Sequence, residues 1–135
     1  MITFVDTNIL LDVFLPDAVH GEGSSTALEK AFHDGSLIVN EIVYAELAPQ
    51  FDSRKLLNDV LGKLGIQMVV ADTEIAFLAG QAWKSYRKTG GKRDRIIADF
   101  LIGAHALLKA DRLLTRDRSF YKDYFQKLVI LNPQY

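Results

Sequence analysis

Four carboxylates stand where a carboxylate needs a reason. Asp6 follows the apolar run Ile2-Thr3-Phe4-Val5 and opens Asp6-Thr7-Asn8, three residues that suit a helix N-cap. Glu46 lies in Glu41-Ile42-Val43-Tyr44-Ala45-Glu46-Leu47, three and four residues after Val43 and Ile42, so helical spacing sets it beside their apolar stripe. Asp99 is the one charge in the stretch from Ile96 to Leu108. Asp117 follows Leu113-Leu114-Thr115-Arg116. Each has an ordinary reading: a cap for Asp6, a snorkelling edge for Glu46, an ion pair with Arg95 for Asp99, an Asx turn for Asp117. As a set they imply more. Carboxylates a few ångströms apart repel by roughly 3–4 kcal/mol per pair at an effective dielectric near 20. A divalent cation removes that cost. Oxygen donors without cysteine or paired histidine suit Mg²⁺ or Mn²⁺, and the chemistry such a cation supports is phosphodiester hydrolysis without a side-chain nucleophile.

The elements that must position these acids alternate. Residues 2–5, 37–39, 66–70, 112–115 and 128–131 read as strands. Helices are expected over 9–15 (stopped by Pro16), from Ser24 or Ser25 to 33, from an Asn40 cap to 48, from a Ser53 cap to 64, over 73–88 and over 94–108, with Asp94 as a cap. The segment 16–24 reads as a loop without a motif, and a short aromatic turn separates the last two strands. Alternation of this kind implies a parallel sheet with helices on both faces and a ligand site beyond the carboxyl ends of the strands. One domain over residues 1–135 is the expectation, since 135 residues hold one core.

Composition removes other classes. There is no cysteine, hence no disulfide, thiolate metal site or cysteine nucleophile. No apolar run reaches the length of a bilayer span, and the start Met1-Ile2-Thr3-Phe4 lacks a signal-peptide pattern, which gives a cytoplasmic expectation with no membrane partner. Gly90-Gly91 is not followed by the Lys-Ser/Thr of a phosphate loop. His20, His33 and His105 are scattered, and His105 reads as a core histidine. Trp83, Tyr86, Phe120, Tyr121, Tyr124 and Phe125 read as core or dimer contacts, and Asp12 and Asp17 as surface charges. The net charge of −1 conceals a split: residues 1–83 carry −8 and residues 84–135 carry +7. Lys84, Arg87, Lys88, Lys92, Arg93 and Arg95 lead towards Asp99 and would form a rim for a polyanion.

Asp6-Thr7-Asn8 after the first strand, Glu46 in Tyr-Ala-Glu-Leu, Asp99 in Ala-Asp-Phe-Leu-Ile-Gly-Ala-His-Ala and Thr115-Arg-Asp117-Arg-Ser-Phe120 occur in the order found in PIN-domain ribonucleases. Over nearly its whole length the chain resembles the VapC toxins of type II toxin–antitoxin systems. The resemblance implies a three-layer α/β/α fold with a parallel sheet of four or five strands. It implies a Mg²⁺- or Mn²⁺-dependent endoribonuclease whose acids Asp6, Glu46, Asp99 and Asp117 hold the metal, with Asn8 and Thr115 behind them orienting ligands or water. RNA contacts would fall to Arg87, Lys88, Lys92, Arg93, Arg95 and Arg116. A homodimer and a cognate antitoxin are the implied protein partners. A PIN nuclease of RNA maturation, without an antitoxin, is the nearest alternative. A phosphoacceptor receiver domain would show adjacent acids after the first strand, whereas Asp6 is followed by Thr7 and the third strand runs out at Val70-Ala71-Asp72.

Overall fold

The computed structural model describes residues 1–90 and 96–133. Five strands form one sheet: β1 (Ile2–Val5), β2 (Ser36–Val39), β3 (Ile66–Met68), β4 (Arg112–Leu114) and β5 (Ile130–Leu131), in the order β3-β2-β1-β4-β5. Every pairing is parallel. All carboxyl ends therefore meet at one edge, and the segments that leave β1 and β4 are neighbours there.

The short strands are apolar because both faces are covered. Side chains alternate along a strand, so the register sorts them. Leu37 faces Val13, Leu28 and Leu64, from α1 (Thr7–Phe14), α2 (Gly21–Asp34) and the end of α4 (Arg54–Lys63). Phe4 faces the other way and stacks on His105 of α6 (Ile97–Lys109), beside α5 (Thr73–Lys88). This is the three-layer α/β/α arrangement. Two shorter helices, α3 (Glu41–Leu47) and α7 (Arg118–Tyr124), leave the carboxyl ends of β2 and β4.

Local chemistry places the helix starts. Asn40 caps α3, accepting from Ile42 and Val43 N–H at 3.1 Å each, and Ser53 caps α4 through Leu56 N–H. Asp72 caps α5 through Ile75 N–H. Four readings shift. The helix expected over 9–15 begins at Thr7, because Asp6 is its cap. The loop over 16–23 is shorter than expected, since α2 starts at Gly21; Ser24 is no cap but a buried hydroxyl inside that helix, bonded to Asp12. β3 ends at Met68, leaving Val69 and Val70 exposed. The aromatic turn is the helix α7. Its Phe120 and Tyr124, with Phe125 just beyond, pack around Phe100 at ring distances of 5.2, 5.8 and 6.3 Å. A Cβ on Gly103 would meet the Phe125 ring at 2.4 Å, so only glycine lets this ring close on α6. The cluster sits directly behind Asp99 and Asp117 and fixes the starts of both helices that carry them.

Candidate active site

Asp6 is the first residue past the central strand. Its N–H donates to Leu114 O at 2.9 Å, which extends the β1–β4 ladder by one step and fixes the backbone. The side chain is 6% exposed. Oδ1 accepts from Thr7 N–H at 2.7 Å; Oδ2 accepts from the Thr115 hydroxyl at 2.7 Å and from Asn8 Nδ2 at 3.3 Å. Tyr121, 2% exposed, also donates its hydroxyl to this carboxylate. Burial nevertheless pushes the Asp6 carboxyl up to about 6, and the nearby charge of Glu46 adds to the rise, while the hydrogen bonds from Thr115, Thr7 and Tyr121 pull against it.

Thr115 ties two of the expected acids together. Fully buried after β4, it donates to Asp6 and accepts Asp117 N–H at 3.0 Å. Asn8 completes the junction, reaching Thr115 Oγ1 at 3.4 Å and accepting Arg116 N–H at 3.3 Å. Asp117 occupies the N-cap position of α7, but its carboxylate makes no capping bond there and is half-buried. Asp99 is in the first turn of α6, half-buried, and its Oδ2 accepts Ile96 N–H at 3.2 Å. Burial pushes the Tyr121 hydroxyl well above its ordinary value, and the charges of Asp6, Asp99 and Asp117 add to that, so three of the four acids surround one phenol.

Glu46 departs from the sequence reading. It is exposed, because the buried stripe of α3 is Val43 and Leu47 and Glu46 lies on its flank. The cost of burying a charge therefore does not argue for a cation at Glu46. Its link to the site is a hydrogen bond, from the Thr7 hydroxyl to Oε1 at 2.7 Å. Thr7, which bonds Asp6 through its backbone and Glu46 through its side chain, belongs to the candidate site, and the sequence reading passed it over. So does Tyr121, read only as core.

Asp12, read as a surface charge, is buried. It sits three residues after Ile9 on an apolar helix, the same signal that singled out Asp99. It takes a bidentate ion pair from Arg116, Nε at 2.7 Å and Nη2 at 3.0 Å, and a hydrogen bond from Ser24 at 2.7 Å. Arg116 thus spends two donors on Asp12. Among the described residues, Asp12, Asp17 and His20 bring one ligand-type atom each within 4.8 Å of one another, and the Arg116 guanidinium already supplies the positive charge there. Asp17 is occupied with Val19 N–H, His20 N–H and the His20 ring.

Of the basic rim, Arg87 and Lys88 are exposed in the last turn of α5, with Arg87 5.0 Å over the Trp83 ring. Lys92, Arg93 and Arg95 lie outside the described residues, as does Asp94. No helix among the described residues is long and apolar enough to cross a membrane.

In fold the chain is similar to toxin–antitoxin structures. A chain of VapBC2 from Rickettsia felis, solved with a promoter DNA fragment, shares 20% identity at a TM-score of 0.75, over 99% of this chain and 100% of that one. VapBC-1 from nontypeable Haemophilus influenzae gives 20% and 0.72, over 98% of each. FitAcB from Neisseria gonorrhoeae gives 25% and 0.66, over 98% and 97%. Among curated proteins there is no match in sequence. The family description "PIN domain" matches residues 3–125, a span that contains all four acids, Asn8 and Thr115. The chain belongs to the PIN domain family, whose members are nucleases.

Proposed function

We propose that residues 1–135 form one endoribonuclease domain, dependent on Mg²⁺ or Mn²⁺, and that it is the toxin of a toxin–antitoxin pair. The observation that carries this reading is Asp6: a carboxylate 6% exposed, pushed up to about 6, with Glu46 close enough to raise it further. Such a group favours either a proton or a cation. The donors gathered there are oxygens of Asp6, Asp99, Asp117, Glu46 and Thr115, together with the Asn8 amide, a set that fits a hard divalent ion. When bound, that ion would supply an activated water and offset charge on the scissile phosphate.

The chain's own residues do the rest. Asp6 and Asp99 would be the principal ligands, with Asp117 and Glu46 closing the set. Thr115 and Asn8 hold the Asp6 carboxylate at a fixed angle through Oδ2. The Tyr121 hydroxyl, too reluctant to ionise to act as a base, serves as a fixed donor to Asp6. Arg87, Lys88, Lys92, Arg93 and Arg95 grip RNA phosphates, and Arg116 stiffens the loop that carries Asp117. The structural neighbours are toxin–antitoxin complexes, which supports a cognate antitoxin as a protein partner; a homodimer is the further expectation.

The test is cleavage of RNA by the purified chain with Mg²⁺, with Mn²⁺ and with EDTA, beside Asp6→Asn and Asp99→Asn variants of matched circular dichroism. Cleavage should need metal and vanish in both variants. Undiminished cleavage in either would remove the metal-site assignment, and cleavage of DNA alone would replace the substrate.

A further inference from the structure

The last turns of α5 hold an aromatic ring among cations. Trp83, the one tryptophan of the chain, is half-buried there, with the Arg87 guanidinium 5.0 Å over its ring. Lys84 and Lys88 flank the pair on the neighbouring ridge of the helix, and the four side chains line a surface hollow of about 420 Å³. Lys84, Arg87 and Lys88 are exposed. Among the described residues none of the three has a carboxylate partner, whereas Lys55, Lys109, Arg112 and Arg116 each do. None is close in sequence either: residues 75–93 carry five lysines and arginines and no acid. An ordinary solvated helix face mixes the two signs.

The packing of α5 ties this hollow to the proposed acids. Tyr86, three residues on from Trp83, turns to the interior and stacks on Phe100 at 5.4 Å and on Tyr124 at 5.3 Å. Phe100 follows Asp99, so the last turn of α5 lies against the first turn of α6, where Asp99 stands. The chemistry of the hollow then selects its occupant. Cations alone would take any anion. A flat ring among them adds a surface for a second flat ring, and a nucleotide carries both a phosphate and a flat base. That base must be unpaired, because in a duplex its two faces are already stacked. A second copy of this chain is the poorer occupant: a two-fold interface sets a patch against itself and would bring three cations against three.

We propose that Trp83, Lys84, Arg87 and Lys88 form a subsite for one unpaired nucleotide of single-stranded RNA. The base stacks on the Trp83 ring in place of the Arg87 guanidinium, and the three cations hold the phosphates on either side of it. This rests on the reading of the chain as an RNA-cutting enzyme and adds that it grips a single strand rather than a duplex.

The experiment is done on the full chain in EDTA, so that nothing is cut. Anisotropy of a short fluorescein-labelled oligoadenylate reads binding, and the emission of Trp83, titrated with the unlabelled strand, reads stacking. Saturable quenching with the same affinity as the anisotropy is expected. Inorganic polyphosphate, and the duplex of the strand with oligouridylate, should quench little. Trp83→Leu keeps apolar bulk against the core and removes the ring. It should weaken binding roughly fivefold or more, with the slope of log affinity against log salt unchanged, because stacking releases no counterions; Lys88→Gln should lower that slope. Binding without quenching, equal quenching by polyphosphate or duplex, or unchanged affinity in a folded Trp83→Leu would overturn the assignment, and the quenching alone decides if that variant does not fold. No cleavage enters these readouts, so a failure of the nuclease reading shows in the metal assay and not here.

Discussion

A carboxylate that resists ionising is a liability in the metal-free protein, and Asp6 should show it in a pH titration of stability. Its folded value, about 6, lies above the ordinary 3.8, so between those limits the folded state binds a proton that the unfolded chain has released. Stability from this group is therefore full below pH 4 and lost as pH rises through 6, a difference of up to about 3 kcal/mol. His105 works the other way: burial lowers it below 6.5, so its contribution is present above 6.5 and fades as pH falls. Urea unfolding without metal should find Asp6→Asn more stable than the parent at pH 8. That advantage should shrink towards zero by pH 4, because Asp6 then takes up its proton, while the His105 contribution cancels between the two proteins. An advantage that does not change with pH would remove the raised Asp6 from the description. Mn²⁺ at pH 8 should favour the parent alone.

Between elements, the β4–α7 junction is held by two residues of α1. Asn8 takes the Arg116 backbone and Asp12 takes its guanidinium, with α2 joined through Ser24. The Asp12 side chain is 4% exposed and the Arg116 side chain 31%. Arg116→Met leaves the more buried charge behind and should cost about 3 kcal/mol in urea unfolding. Asp12→Leu with Arg116→Met should recover most of that, since removing both charges is far cheaper than orphaning one; additive losses would show that the pair does not act as a unit. The same segment shows what could be read in advance. Caps written in one residue were legible: Asn40 and Ser53 stand where their side chains bond the next turn. The start of α2 was not, because Gly21 and Gly23 mark a loop in isolation and become helical when α2 packs on α1. Asp6 and Asp117 were legible as acids that follow strands, and Asp99 as the one charge in an apolar stretch. Glu46 was singled out for a mistaken reason, since a seven-residue helix buries too narrow a stripe to include it. Thr7, Asp12 and Tyr121 needed contacts 12 to 115 residues apart along the chain, which no local pattern carries.

At the level of the whole molecule, the two signs of charge sit on different parts of the chain, and the proposed site would use both. The N-terminal portion brings Asp6 and Glu46, and the C-terminal portion brings Asp99 and Asp117 along with most of the cations. Replacing Arg87, Lys88, Lys92 and Arg93 with glutamine should weaken RNA binding and reduce the slope of log affinity against log salt by up to roughly one unit per lost phosphate contact. Filter binding between 50 and 200 mM salt would show it, and an unchanged slope would make that stretch an ordinary solvated surface.

The central place of β1 bears on when the site can come into being. Of the five strands this one is made first, yet one of its two neighbours, β4, is made fourth. A ribosome that has released residues 1–100 has already synthesised Asp6, Glu46 and Asp99, but not Thr115, Asp117 or Tyr121, and half of the β1 edge lacks its partner. Closing a contact across 109 residues is slow compared with forming helices. If the proposed site is right, its acids would be brought together late in folding, and fragments that stop short of residue 117 would carry three of the four without the junction that holds them.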